Sequence, residues 1–171
     1  VQIDWAQFKK NLRVKNRQCT GFILGVDVHT HFLMIYPTVS RAQQHWLAAV
    51  DSFVEKYPYF TRGVSDRETA LDNKTFRREM LEKYNITWSY IHLRNKAYSS
   101  ETYIRHVKTW LILGMKWLNT NNWVDLVPVI VDYYNSNLIK NTSFAPKDIT
   151  PNNFETYIEE KYNDNTLVES Y

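Results

Sequence analysis

The apolar pattern changes period partway along the chain, and that change limits the folds open to it. Residues 1–8 begin in strict alternation, with Val1, Ile3 and Trp5 apolar against Gln2 and Asp4, which is strand periodicity. Two further β-rich runs, 20–29 and 31–38, lie too close together for anything but a hairpin. From 41 to 57 the spacing becomes helical, through Trp46, Val50, Phe53, Val54 and Tyr57, and Pro58 closes the segment. A strand at 61–65 comes next, then a helix capped by Asn73 and running through Tyr84, with Phe76, Met80, Leu81 and Tyr84 as its buried stripe. A strand at 86–92 follows.

The remainder is helical. Ser99 or Ser100 caps a long helix whose stripe is Ile104, Val107, Leu111, Met115 and Leu118. Gly114 inside it costs roughly 1 kcal/mol against Ala, so it marks a bend or a close approach. Asp125 is the expected cap of the next helix, with Pro128 in its first turn and Val127, Ile130, Val131 and Tyr134 facing inward as far as about Leu138. Pro146 and Pro151 punctuate a loop before a final acidic helix at 152–163. Three antiparallel strands followed by alternating helix and strand predict one α/β domain built on a mixed five-stranded sheet. Its core spans 1–147, with a helical extension at 148–171.

A chain of 171 residues supports one well-buried domain. Its net charge of +3 permits a nucleic-acid partner without demanding one, since a strong footprint is usually a local cluster. The one such cluster is the basic connection at 9–17, which carries five Lys and Arg. The single cysteine, Cys19, excludes an internal disulfide and fits a reducing compartment. No apolar run approaches the roughly 18 residues of a membrane span. The first residue is Val rather than Met, so we expect a piece of something longer.

The chemistry points to the acids. Asp66 ends a short strand and Glu101 opens a long helix, with 34 residues between them. Carboxylates that converge in this way are what hard divalent cations require, which suggests metal-assisted phosphoryl transfer. Spacing alone leaves the third acid open, since Asp27 precedes Asp66 by a comparable interval and Asp4 stands on the first strand. Arg105 and Lys108 follow Glu101 by four and seven residues and share its helix face, a solvated face or a phosphate-holding one. His29 and His31 mark a hairpin turn more readily than a metal site. Glu68 reads as a turn residue. The acids of 155–164 form a solvated face or touch another subunit. Trp110, Trp117 and Trp123 belong either to the core or to a dimer face.

Several stretches together resemble the catalytic core of retroviral-type integrases, most of all those of Polinton (Maverick) DNA transposons and related virus-like elements. They are Val1-Gln2-Ile3-Asp4-Trp5, Phe22-Ile23-Leu24-Gly25-Val26-Asp27-Val28, Val64-Ser65-Asp66-Arg67, Lys96-Ala97-Tyr98-Ser99-Ser100-Glu101 with Arg105 and Lys108, Asp132-Tyr133-Tyr134-Asn135, and 142–149. The chain departs from the pattern at Glu68, at Thr102, and in lacking a His after Asn135.

The resemblance implies a ribonuclease H-like fold with a catalytic Asp-Asp-Glu set. It assigns Asp4, Asp66 and Glu101 as catalytic residues and metal ligands, choosing Asp4 over Asp27. Two Mg2+ or Mn2+ ions per active site are implied as cofactors. Lys96, Arg105 and Lys108 become DNA-binding residues. The implied activity is 3′-end processing and strand transfer of element DNA into double-stranded target DNA, in the nucleus of a host and by a dimer or higher homo-oligomer. Two rivals stand beside it: a decayed or domesticated fold that only binds DNA or protein, and a ribonuclease H-like nuclease that cuts without joining.

Overall fold

A computed structural model describes residues 1–8, 16–66, 74–91 and 98–162, with Tyr98 and Ser99 described by backbone alone. Five strands form one sheet: β1 (Gln2–Gln7), β2 (Gly21–Val26), β3 (Leu33–Thr38), β4 (Arg62–Asp66) and β5 (Thr87–Ile91). Their order is β3-β2-β1-β4-β5. The pairs β1/β2 and β2/β3 are antiparallel, whereas β1/β4 and β4/β5 are parallel. The helices are α1 (Gln43–Lys56), α2 (Lys74–Tyr84), α3 (Tyr98–Trp117), α4 (Val127–Ser136) and α5 (Phe154–Tyr162). This is the mixed sheet expected from the order of periodicities, in the ribonuclease H-like arrangement that the resemblance implied.

Each face of the sheet carries its own core. Ile3, Trp5, Ile23 and Met34 pack under α1 and α2, against Trp46, Val50, Phe53, Phe76 and Met80. Ala6, Phe22, Leu24, Val26, Leu33 and Ile35 pack on the other face, against Val107, Leu111 and Met115 of α3 and Trp123 and Val127 near the start of α4. β2 is therefore buried at all six positions, which is why it reads as a continuous apolar run instead of an alternating one.

Three local expectations are corrected. Leu81 is exposed, because Phe76 and Met80 already fill the inner face of α2 and Leu81 lies one residue, about 100°, further round. Leu118 is exposed because α3 has ended: its N–H still reaches the Gly114 carbonyl, but Asn119 takes a left-handed conformation at φ 49° and turns the chain away. Asp125 does not cap α4, which grows out of a 3-10 turn at Val124–Leu126 with Leu126 in the cap position. Asp125 instead pairs with Arg17 and Asn122. The capping work falls to the fully buried Asn16, whose Oδ1 accepts the N–H groups of Trp123 and Val124 at 2.7 and 3.1 Å.

Other boundaries move less. α3 begins at Tyr98, so Ser100 lies inside it and not at its cap, and the cap expected at Asn73 lies outside the described residues. α5 begins two residues later than expected. It packs on the β2–β3 turn, where the buried Tyr157 donates its hydroxyl to the His29 carbonyl at 2.7 Å.

Candidate active site

The parallel pairing of β1 and β4 sets Gln2 beside Val64 and Ile3 beside Ser65. One residue further, the same register sets Asp4 beside Asp66 on strands about 4.8 Å apart. Register partners in a parallel pair share a face. Ile3 and Ser65 turn toward α1 and α2, where Ile3 is in the core and the Ser65 hydroxyl accepts the indole N–H of Trp88 at 3.1 Å. Asp4 and Asp66 consequently both turn to the face that α3 covers, and both are half-buried.

The first turn of α3 sits against this pair. Ser100 is fully buried, and its hydroxyl lies 3.5 Å from Asp4 Oδ2, a long contact that brings the helix start onto β1. The other oxygen of Asp4 accepts the Trp5 N–H at 2.7 Å. Glu101 comes next on the helix and is exposed. An acid in a first turn is favoured by the N–H groups and dipole of the helix end.

Seven residues on, Lys108 is half-buried. Burial pushes its ammonium below the ordinary lysine range, while the Asp4 carboxylate opposes that shift. Its Nζ also lies 6.0 Å from the Phe8 ring centroid. Arg105 is exposed on the same helix. Lys96 and Glu68 lie outside the described residues.

Among the described residues, no group of three or more His, Cys, Asp or Glu is close enough to hold a metal ion. The acids of this region are thus two aspartates on adjacent strands and Glu101 at the start of the helix. Their donors are all carboxylate oxygens, the chemistry that Mg2+ or Mn2+ selects.

Asp27 stands elsewhere. The antiparallel register pairs Gln2 with Val26, so Asp27 is level with Val1, three residues or about 10 Å along β1 from Asp4. Its Oδ1 accepts the N–H groups of His29 and Thr30 at 2.9 and 2.8 Å and caps the hairpin turn.

Sequence spacing did not reveal a second polar cluster on the α3 face. His31 bonds through Nδ1 to the Tyr103 hydroxyl at 2.7 Å and through Nε2 to Lys161 Nζ at 2.7 Å. Tyr134 donates to Tyr103 at 3.1 Å. The only advance signal was the pair of histidines flanking Thr30, whose partners lie far away in sequence.

No protein-family model matches the chain, and no curated protein matches it. Solved structures do. A chain of the simian T-cell lymphotropic virus intasome superposes with a TM-score of 0.74 at 11% identity, covering 88% of this chain and 54% of that one. This chain thus spans about half the length of that viral chain. The HTLV-2 integrase catalytic core domain in complex with magnesium gives 0.67 at 14% identity, over 85% of this chain and 90% of the other. The BIV integrase catalytic core domain gives 0.67 at 12% identity and covers 95% of each. The fold is that of a retroviral integrase catalytic core. At these identities the likeness is one of fold.

Proposed function

We propose that this chain is a DNA integrase catalytic core, a divalent-metal-dependent polynucleotidyl transferase that trims the 3′ ends of element DNA and joins them to target DNA. Its main support is the register that brings Asp4 and Asp66 together beneath the first turn of α3, inside an integrase-type fold. The resemblance carried by the quoted stretches together favours a Polinton-like element as the source. Mg2+ or Mn2+, two ions per site in this proposal, would supply charge stabilisation at the phosphate undergoing transfer.

The protein side of the reaction is placement. Asp4 and Asp66 hold negative charge at fixed positions on two adjacent strands, and Glu101 adds a third carboxylate from the helix. Lys108, drawn toward Asp4 and partly desolvated, is suited to contacting a DNA phosphate close to the acids. Arg105 and Lys96 would hold phosphates further out. Joining two DNA ends requires two active sites, so the working form would be a homo-oligomer acting in a nucleus.

Disintegration of a branched DNA substrate in Mn2+ tests the proposal, comparing the unaltered chain with Asp4→Asn, Asp66→Asn, Glu101→Gln and Asp27→Asn. Loss of activity in the first three variants and retention in the fourth is the expected result. Activity that survives Asp4→Asn but not Asp27→Asn would reassign the site. The departures from the family pattern at Glu68 and Thr102 favour one alternative, a decayed or domesticated fold that only binds DNA or protein. A folded chain that is inert on the branched substrate and gains no thermal stability from Mn2+ would establish that alternative. A nuclease that does not join would cut DNA yet fail to transfer a pre-cut 3′ hydroxyl end.

A further inference from the structure

A pocket of about 350 Å³ lies beside Trp5 and Gln7 of β1, with Thr20 and the link between β3 and α1, Val39, Ser40 and Arg41, as its other walls. Its charged wall is Arg41, whose guanidinium carbon stands 4.0 Å from the Trp5 ring centroid. Trp5 is buried and so makes a fixed platform. The backbone of the link is anchored as well: the Arg41 carbonyl accepts the Trp46 indole N–H at 3.2 Å, and the Val39 carbonyl accepts the Thr20 hydroxyl at 3.0 Å. Ser40 Oγ accepts the Ala42 N–H at 3.2 Å, so its own O–H proton can go to a ligand.

The surroundings are basic. Gln7 and Thr20 are joined in sequence by the stretch 9–17 with its five Lys and Arg. Between Asp4 and Asp51 the sequence holds one acid, Asp27, which is level with Val1, six residues or about 20 Å along β1 from Gln7. Asp4 itself turns to the α3 face, whereas Trp5 packs on the face that α1 covers. α1 has no acid in its first turn, so its dipole adds to the same sign. Stacking occupies the face of a guanidinium, while its N–H donors lie in the plane as a fork that matches a phosphate. Gln7 is three residues, about 10 Å, beyond Asp4, and phosphates recur about every 3.4 Å along one DNA strand. Deepening the integrase reading, on which this rests, we propose that Arg41 and the Ser40 hydroxyl hold a DNA backbone phosphate about three nucleotides from the one undergoing transfer. Lys108, near Phe8, and Arg41, on Trp5, then bracket the end of β1 from its two faces.

Fluorescence anisotropy of a labelled DNA duplex, titrated with the 171-residue chain over a series of salt concentrations, tests this without requiring turnover. Arg41→Ala should weaken binding about fivefold and lower the slope of log K against log salt by about 1, as loss of one phosphate contact does. Arg41→Lys should keep the slope and bind more weakly, having the charge without the fork. Both variants should keep the fold, because Arg41 is exposed. Lys56→Ala removes a charge from the far end of α1 and should change neither quantity. In disintegration, the loss in Arg41→Ala should fall on KM rather than kcat. An unchanged slope in Arg41→Ala, or an equal drop in Lys56→Ala, would overturn the proposal even in a chain that disintegrates DNA. A slope lowered by Arg41→Ala alone, in a chain inert on the branched substrate, would uphold the phosphate contact and sink the catalytic reading. Millimolar inorganic phosphate that displaces the duplex at constant ionic strength from the unaltered chain but not from Arg41→Ala would make free phosphate the ligand and overturn the DNA assignment. A folded chain that binds no duplex would overturn both readings.

Discussion

Asn135 grips Leu33 by both of its backbone groups: the Leu33 N–H donates to Asn135 Oδ1 at 2.9 Å, and Asn135 Nδ2 donates to the Leu33 carbonyl at 2.8 Å. β3 is an edge strand, and here a side-chain amide from α4 takes the place that a sixth strand would fill. The Tyr-Asn pair noticed in the sequence thereby gains a physical role. Asn135→Ala strands a buried donor and a buried acceptor, so it should destabilise the fold by about 3 kcal/mol. Asn135→Asp, which can accept but not donate, should also destabilise it. Urea unfolding midpoints of the three proteins check both expectations.

Gly63 lies three residues before Asp66 on β4, and no side chain fits there. A Cβ at this position would come within 2.4 Å of Trp88 Cε3. Trp88 cannot yield easily, being bonded to Ser65 and packed edge-on against Phe76 with centroids 5.0 Å apart. Gly63→Ala should therefore cost about 1–3 kcal/mol through overpacking and shift the strand that carries Asp66. Gly114→Ala is the control. Its Cβ would meet only the tip of Leu126 at 3.2 Å, and removing a helix-interior glycine gains up to about 1 kcal/mol. Melting temperature should fall for the first variant and hold or rise for the second, and disintegration activity should follow the same order.

What the sequence revealed and what it hid divide along a physical line. Periodicity is a local property, so the strands and helices and the antiparallel pairing of the first three strands were legible in it, whereas the placement of β4 beside β1 was not. That Asp4 and Asp66 share a face was not legible there, because it depends on the parallel register between strands far apart in sequence. Leu81 and Leu118 were misjudged because a stripe drawn from hydropathy does not know which neighbours already fill the groove or where a left-handed residue ends a helix. Asn16 was invisible as a cap because the N–H groups it satisfies lie more than a hundred residues away. The same holds for the pocket beside Arg41, whose walls come from three separate stretches of chain.

Self-association can be probed at the far end of α3. Trp117 is 87% exposed there, and Tyr133 on α4 is 69% exposed, whereas Trp123 is wholly in the core. Trp110 is half-buried against Tyr134 at 5.8 Å. Of the three tryptophans considered for a dimer face, Trp117 alone is available to a partner molecule. Trp117→Lys should shift sedimentation toward the monomer while leaving the melting temperature within about 0.5 kcal/mol equivalent of the original, as exposed substitutions do. Unchanged sedimentation of an associating chain would place the interface elsewhere.

The link between α5 and the hairpin turn should weaken in acid. Lys161 offers only donors, so His31 Nε2 must accept from it, and the ring is then neutral with its proton on Nδ1, directed to the Tyr103 oxygen. Burial pushes the His31 pKa below its ordinary 6.5, the Lys161 ammonium and His29 push it further, and only Asp27 opposes them. Because the unfolded chain takes up this proton more readily than the folded one, the stability that His31 contributes is complete above pH 6.5. It declines as the pH falls from 6.5 through the lowered folded value. Lys161→Met removes one of the causes, so His31 should titrate closer to 6.5 and the acid-side loss should shrink, even though the variant gives up a hydrogen bond at neutral pH. Ring-proton NMR of His31 and melting temperatures at pH 5 and 7.5 check this. A wild-type His31 that titrates at or above 6.5 would mean that Lys161 does not stand against the ring in solution.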